Sequence, residues 1–250
     1  MSETLSAVPA AISAALDGLK RDLLAAAGEN LKGLILYGGL ARGRYRPGKS
    51  DVNVVVLLRD ATPAALRVIA PALKKAWRAA AVEPLVLSTE EAVHATRVFP
   101  TKFLDIKSHH VVLLGEDPFA GIEISREHVR LRIEQELRNL LMRLRRRFLA
   151  TVDDQTLLAR AVTDVVRPFA IEMAALWQLM GKPIPDDDRS AMIFETVAAE
   201  FGLNREVLTE LVALRHDSRT PDNIVDLCGS LLEMLARMVT VVDQMKGPAQ

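Results

Sequence analysis

Cysteine is nearly absent from this 250-residue chain. The one present, Cys228, lies in a helical pattern, so an internal disulfide or a cysteine-rich metal site is excluded. Net charge is missing as well: 32 Lys and Arg balance 32 Asp and Glu, which leaves no overall electrostatic pull toward nucleic acid. No apolar run reaches the roughly eighteen residues that a membrane span needs. The start, Met1-Ser2-Glu3-Thr4-Leu5, lacks the basic residues and unbroken apolar core of a secretory signal, so a cytoplasmic protein is expected. There is no internal repeat and no low-complexity segment. What is present is an ordinary globular composition, 50% hydrophobic and 26% charged, long enough for one large domain or two smaller ones.

The informative stretch is 31–58, LKGLILYGGLARGRYRPGKSDVNVVVLL. Gly43 to Ser50 satisfies the P-loop pattern G-x-x-x-x-G-K-S. That motif works only where the glycine turn opens a helix, whose first amides point at phosphate. Here Ser50 is followed by Asp51-Val52-Asn53-Val54-Val55-Val56-Leu57-Leu58, a β-branched run that describes a strand. The lysine would lead into a strand with no helix dipole behind it, and the P-loop reading fails on context.

A second reading makes physical sense of the same residues. A strand over 33–37 enters a tight turn at Gly38-Gly39, where the lack of a Cβ lets backbone approach a ligand. A basic segment carrying Arg42 and Arg44 follows, then a strand over 52–58. Asp51 and Asn53 are two apart, so their side chains leave one face of that strand. Two oxygen ligands on one face, opposite a glycine turn and arginines, offer a place for a magnesium-bound triphosphate.

Gly38-Gly39-Leu40-Ala41-Arg42-Gly43 followed by Ser50-Asp51-Val52-Asn53 resembles the signature of the DNA polymerase β-like nucleotidyltransferases, as found in aminoglycoside adenylyltransferases and minimal nucleotidyltransferases. The resemblance covers about the first half of the chain. It implies transfer of a nucleoside monophosphate from a nucleoside triphosphate to the hydroxyl of a small-molecule or protein acceptor, with two magnesium ions. It places Gly38, Gly39, Arg42, Arg44 and Ser50 at the nucleotide, Asp51, Asn53 and a later acid at the metals, and Asp51 with that acid in catalysis. Glu83, on a short apolar run after a crossover helix, is the favoured third acid; Asp105 is the alternative. Asn53 departs from the pattern, which has aspartate there. An amide keeps a carbonyl oxygen but loses a charge worth about 4 kcal/mol at ~4 Å and an effective dielectric of 20, before discount for solvation. The alternative function is therefore a catalytically impaired pseudoenzyme serving as a nucleotide-binding or protein-interaction module. A partner-controlled, toxin-like transferase is a third reading.

The periodicity shifts from mixed α/β to all-α. Helices are predicted over 9–27 and 62–81, a strand over 85–87, a short helix capped by Thr89, and a strand over 111–114. Helical periods then run over 125–150, 154–180, 189–201, 205–215 and 221–245. The expectation is an α/β nucleotidyltransferase-like domain with a mixed sheet over 1–120 and an all-α helical bundle over 121–250. Arg138, Arg143, Arg145, Arg146 and Arg147 interleave with Leu137, Leu140, Leu141 and Leu144, which reads as the solvated face of an amphipathic helix rather than a nucleic-acid grip. His109 and His110 are expected on opposite faces of a strand edge, not as a metal pair. The triplet Asp186-Asp187-Asp188 reads as a helix cap. Homo-oligomerisation is left open.

Overall fold

The structure, a computed structural model, describes residues 9–45, 50–183, 185, 190–215 and 221–245. The chain divides into two compact units, Met1–Ser125 and Arg126–Gln250.

The first unit opens with α1 (Ala10–Ala27), which turns Ile12, Leu16, Leu19 and Leu23 inward at helical spacing. A 3-10 turn leads into β1 (Leu31–Tyr37), which is followed by β2 (Val52–Leu58), α2 (Pro63–Ala80), β3 (Val82–Ser88), α3 (Thr89–Val98), α4 (Pro100–Ser108) and β4 (His110–Gly115). The strands form one sheet in the order β3-β2-β1-β4. Only the β2–β3 pair is parallel; β1 runs antiparallel to β2 and to β4. Central β2 is covered on both faces. Val54, Val56 and Leu58 pack with the inner residues of α1 and α2. Val55 and Leu57 pack with Ala92 of α3 and with Phe103 and Ile106 of α4. A strand buried on both sides has no solvent face to alternate toward, hence its unbroken Val-Val-Val-Leu-Leu.

Two local details set the register. Thr62 caps α2 by accepting a hydrogen bond from the Ala65 amide (3.3 Å), with Pro63 in the first turn. The helix then stops at Ala81, which takes a left-handed conformation (φ 48°) and whose carbonyl accepts the Val52 amide at 3.1 Å. That reversal starts β3 directly beside the start of β2. The cap of α3 is Ser88 rather than Thr89: its Oγ accepts the Glu91 amide (3.0 Å), while the Glu91 carboxylate accepts the Ser88 amide (2.7 Å). Ser88 prevails because Glu91 lies three residues on and completes the reciprocal box.

The second unit is helical: α5 (Arg126–Thr151), α6 (Gln155–Leu179), α7 (Ser190–Phe201), α8 (Arg205–Leu214) and α9 (Ile224–Gln244). On α5, Leu137, Leu140, Leu141 and Leu144 are buried, while Arg138, Arg143, Arg145, Arg146 and Arg147 are exposed. Cys228 is buried in α9, which pushes its thiol up to about 11 and leaves it in the unreactive protonated form. The Asp186–Asp188 triplet lies outside the described residues. No described helix is long and apolar enough to cross a membrane.

On α6, Glu172 is largely enclosed, and its Oε2 has no hydrogen-bond partner among the described residues. Burial, then the nearby Glu136 carboxylate, push it up to about 7, with Arg132 opposing. Because the folded protein holds this proton more tightly than the unfolded chain, the stability it contributes is complete below about pH 4.5 and lost as pH rises through about 7. Glu172→Gln is expected to remove that slope. Thermal melts should show the variant equal to the parent near pH 5 and more stable by about 1–3 kcal/mol at pH 8. Parallel melting curves across that range would rule out a buried proton at this position.

Candidate functional site

The turn after β1 is built by backbone hydrogen bonds: the Arg42 amide donates to Gly38 O (3.2 Å), Gly43 to Leu40 O (3.0 Å) and Arg44 to Gly39 O (2.7 Å). Leu40 and Ala41 are buried and anchor it to the core. Gly38 has φ +77°, which favours glycine, and a Cβ there would lie 3.2 Å from Asn53 Nδ2, so any larger residue would also press on the Asn53 amide. Gly39 differs: its nearest neighbour to a built Cβ is 3.9 Å away, and packing makes no demand for glycine. Ser50 is followed by strand, not helix, which removes the structural basis of a P-loop; Gly48 and Lys49 lie outside the described residues.

Strand register assembles a polar row at this end of the sheet. Glu83 of β3 is the partner of Asn53 on β2. Asn53 is in turn the partner of Tyr37 on β1, and Tyr37 of His110 on β4. Paired residues share a face, and alternation places this row on the α3/α4 side with Ile35, Val55 and Leu57. Asp51, exposed, stands two residues before Asn53. Asn53 is half-buried against Gly38, and Glu83 is exposed. Trp77, at the end of α2, donates its indole N–H to Glu83 Oε1 at 3.2 Å. Burial, then the Glu83 charge, raise the Tyr37 phenol above its ordinary value, so Tyr37 stays a neutral donor beside the acid.

The remaining predicted residues divide between this row and a neighbouring cluster. Asp105 lies on α4, not on a strand, and forms an ion pair with Arg42, whose side chain is only 13% exposed. Of the two candidate third acids, Glu83 is therefore the one aligned with Asn53. Burial, then the charges of Arg42 and Arg44, lower the His109 pKa. His110 turns the other way: its Nε2 lies 3.1 Å from Asp117, its Nδ1 3.0 Å from the Ile106 carbonyl, and its ring meets Phe119 edge-on. Sequence reasoning passed over Tyr37 and Trp77. Tyr37 was open to inference, since it immediately precedes Gly38 with the parity of the polar face. Trp77 was not, because its reach from helix to strand depends on how tightly the chain reverses at Ala81.

The donors of the row are two carboxylates and one amide oxygen, and no group of three or more His, Cys, Asp or Glu side chains poised to hold a metal occurs among the described residues. Such a set does not make a preformed two-metal cage. It fits a magnesium ion that takes most of its ligands from phosphate and water and one or two from protein.

The four-stranded mixed sheet of the α/β unit, followed by a unit whose described elements are all helices, is consistent with a nucleotidyltransferase fold. Among solved structures, the crystal structure of spectinomycin adenyltransferase AAD(9) from Enterococcus faecialis with ATP and spectinomycin is similar, at a TM-score of 0.56 over 90% of this chain and 99% of that one. Sequence identity is 15%, so the likeness is one of fold. No family model matches the sequence, and no curated protein matches it significantly.

Proposed function

We propose that this protein binds a nucleoside triphosphate along the Gly38–Gly43 turn and transfers its nucleoside monophosphate to an acceptor hydroxyl in a magnesium-dependent reaction. The observation that carries this reading is the pairing of Glu83 with Asn53 beside the Gly38 turn. Asp51 and the Asn53 carbonyl would hold magnesium, which when bound supplies positive charge to the reacting phosphate. Arg42, oriented by Asp105, and Arg44 steady the phosphate chain, with Gly39 and Ser50 lining it. Glu83, held by the Trp77 indole, either reaches a second ion or takes the proton of the acceptor hydroxyl. The bound ATP and spectinomycin of the structural neighbour favour ATP as donor and a small molecule as acceptor.

A second reading, a nucleotide-binding module with impaired catalysis, is favoured by one specific feature. Asn53 stands where a third negative charge would complete the metal site, and its amide is packed against Gly38.

Calorimetry with a non-hydrolysable ATP analogue tests the shared core of both readings. Binding is expected to strengthen with magnesium and to weaken by about tenfold in Asp51→Asn, a loss of about 1.4 kcal/mol. Absence of any binding to the analogue would refute both.

A further inference from the structure

We infer that His109 is a polyphosphate-binding residue, forming with Arg42 and Arg44 one anion pocket beside the Gly38–Gly43 turn. The inference rests on the nucleotide reading for its natural ligand, and its test uses none. His109 sits where α4 ends and β4 begins. Its amide donates to the carbonyls of Asp105 and Ile106, both at 3.2 Å, so the helix end fixes the root of the ring. Its Nδ1 is shielded from water and has no hydrogen-bond partner among the described residues. The charged groups that bear on it are Arg42 and Arg44 from the turn, with Asp105 of α4 engaged on Arg42.

An imidazole nitrogen that is neither solvated nor bonded, set beside two guanidiniums, is an unfavourable arrangement on structural grounds alone. His110, the adjacent residue, has acceptor oxygens at both of its ring nitrogens, so the local fold can satisfy a histidine where it needs one. A polyphosphate seated between the arginines would supply the missing acceptor to His109. It would also oppose the present field: burial, then the charges of Arg42 and Arg44, hold the ring below its ordinary value, and an arriving polyanion favours its protonated form. Anion binding is then coupled to uptake of a proton, so affinity falls as pH rises.

The probe is inorganic tripolyphosphate, titrated calorimetrically without magnesium into the full chain and into His109→Gln at pH about 6 and about 8. Comparison of the two proteins cancels the probe's own titration. The parent is expected to bind about fivefold or more tighter than the variant at the lower pH, with proton uptake seen in buffers of different ionisation enthalpy, and the difference should shrink at the higher pH. Equal binding by parent and variant at both pH values would overturn the role of His109 while leaving the nucleotide reading intact. A parent that binds the ATP analogue but not tripolyphosphate would overturn the pocket alone; one that binds neither would overturn both. Should His109→Gln not fold, His109→Asn takes its place in the same comparison, and equal binding with equal proton uptake by that pair overturns the inference.

Discussion

Asn53→Asp is expected to tighten magnesium binding to the nucleotide-loaded protein by roughly tenfold to a hundredfold and to raise pyrophosphate release from ATP in step. A unit charge at ~4 Å from a cation is worth about 4 kcal/mol at an effective dielectric of 20. Asn53 is half-buried, and its carbonyl already offers an oxygen, so about 1.4–2.8 kcal/mol of that survives as affinity. The same substitution carries a cost without metal. Glu83 is the direct cross-strand partner of position 53, and like charges directly opposite each other destabilise a sheet. The metal-free variant should therefore melt below the parent, with magnesium and nucleotide together restoring it. The pairing of those two effects is diagnostic, because a position that met no metal would show the destabilisation opposite Glu83 without the rescue. The same pairing gives Asn53 a structural role: an amide there avoids like-charge repulsion with Glu83.

The second large effect concerns the helical unit. Arg130→Met is expected to destabilise it by about 3 kcal/mol, lowering its melting temperature by on the order of 10 °C. Arg130 is 3% exposed. Its guanidinium donates to both Glu127 carboxylate oxygens (2.9 and 2.7 Å), to Glu134 (2.9 Å) and to the Val242 carbonyl near the end of α9 (3.2 Å). Removal takes one donor from the Val242 carbonyl, which keeps the Met245 amide (3.2 Å), and one from the mostly buried Glu134 carboxylate, and the loss of one partner from a buried ion pair is far costlier than the pair is worth. Arg138→Met is the contrast. Arg138 also donates twice to Glu134 (2.9 and 2.7 Å), but its side chain is 51% exposed, so a cost below about 1 kcal/mol is expected. Together Arg138 and, secondarily, Arg130 hold the Glu134 carboxyl below its ordinary value, with burial opposing. That contribution is present above about pH 4.5 and is lost as pH falls through the lower folded value. Equal melting temperatures for the two variants would contradict the difference assigned to burial.

The sheet was legible wherever one residue's chemistry dictates its place. The β-branched run of β2 read as a strand from sequence, and its cover on both faces is what the structure adds. The conformation at Gly38 and its contact with Asn53 give physical content to a glycine the sequence singled out. Gly39 carries no comparable demand. Parity led to the expectation that Asp51 and Asn53 share a face, although Asp51 precedes β2, and parity cannot say which residue of β3 stands opposite Asn53. That is decided by the left-handed backbone at Ala81, and nothing in an alanine announces a φ of 48°. The Arg42–Asp105 pair spans 63 residues of sequence and was equally out of reach. Arg130 did leave a trace: it falls one heptad before Leu137 and two before Leu144, on the stripe that is otherwise leucine. An arginine on the apolar stripe of a helix is a reason to look for a buried carboxylate, and Glu134 supplies it.

The central claim is that the Gly38–Gly43 turn and the Asp51–Asn53–Glu83 row form one nucleotide site with a single charge missing. A crystal structure of the protein with magnesium and a non-hydrolysable ATP analogue tests it most directly. The phosphate chain is expected to lie along the turn, with magnesium bound by Asp51 and the Asn53 carbonyl and Glu83 facing the α-phosphate. Analogue bound elsewhere, or at the turn with its metal held away from Asp51 and Asn53, would contradict it.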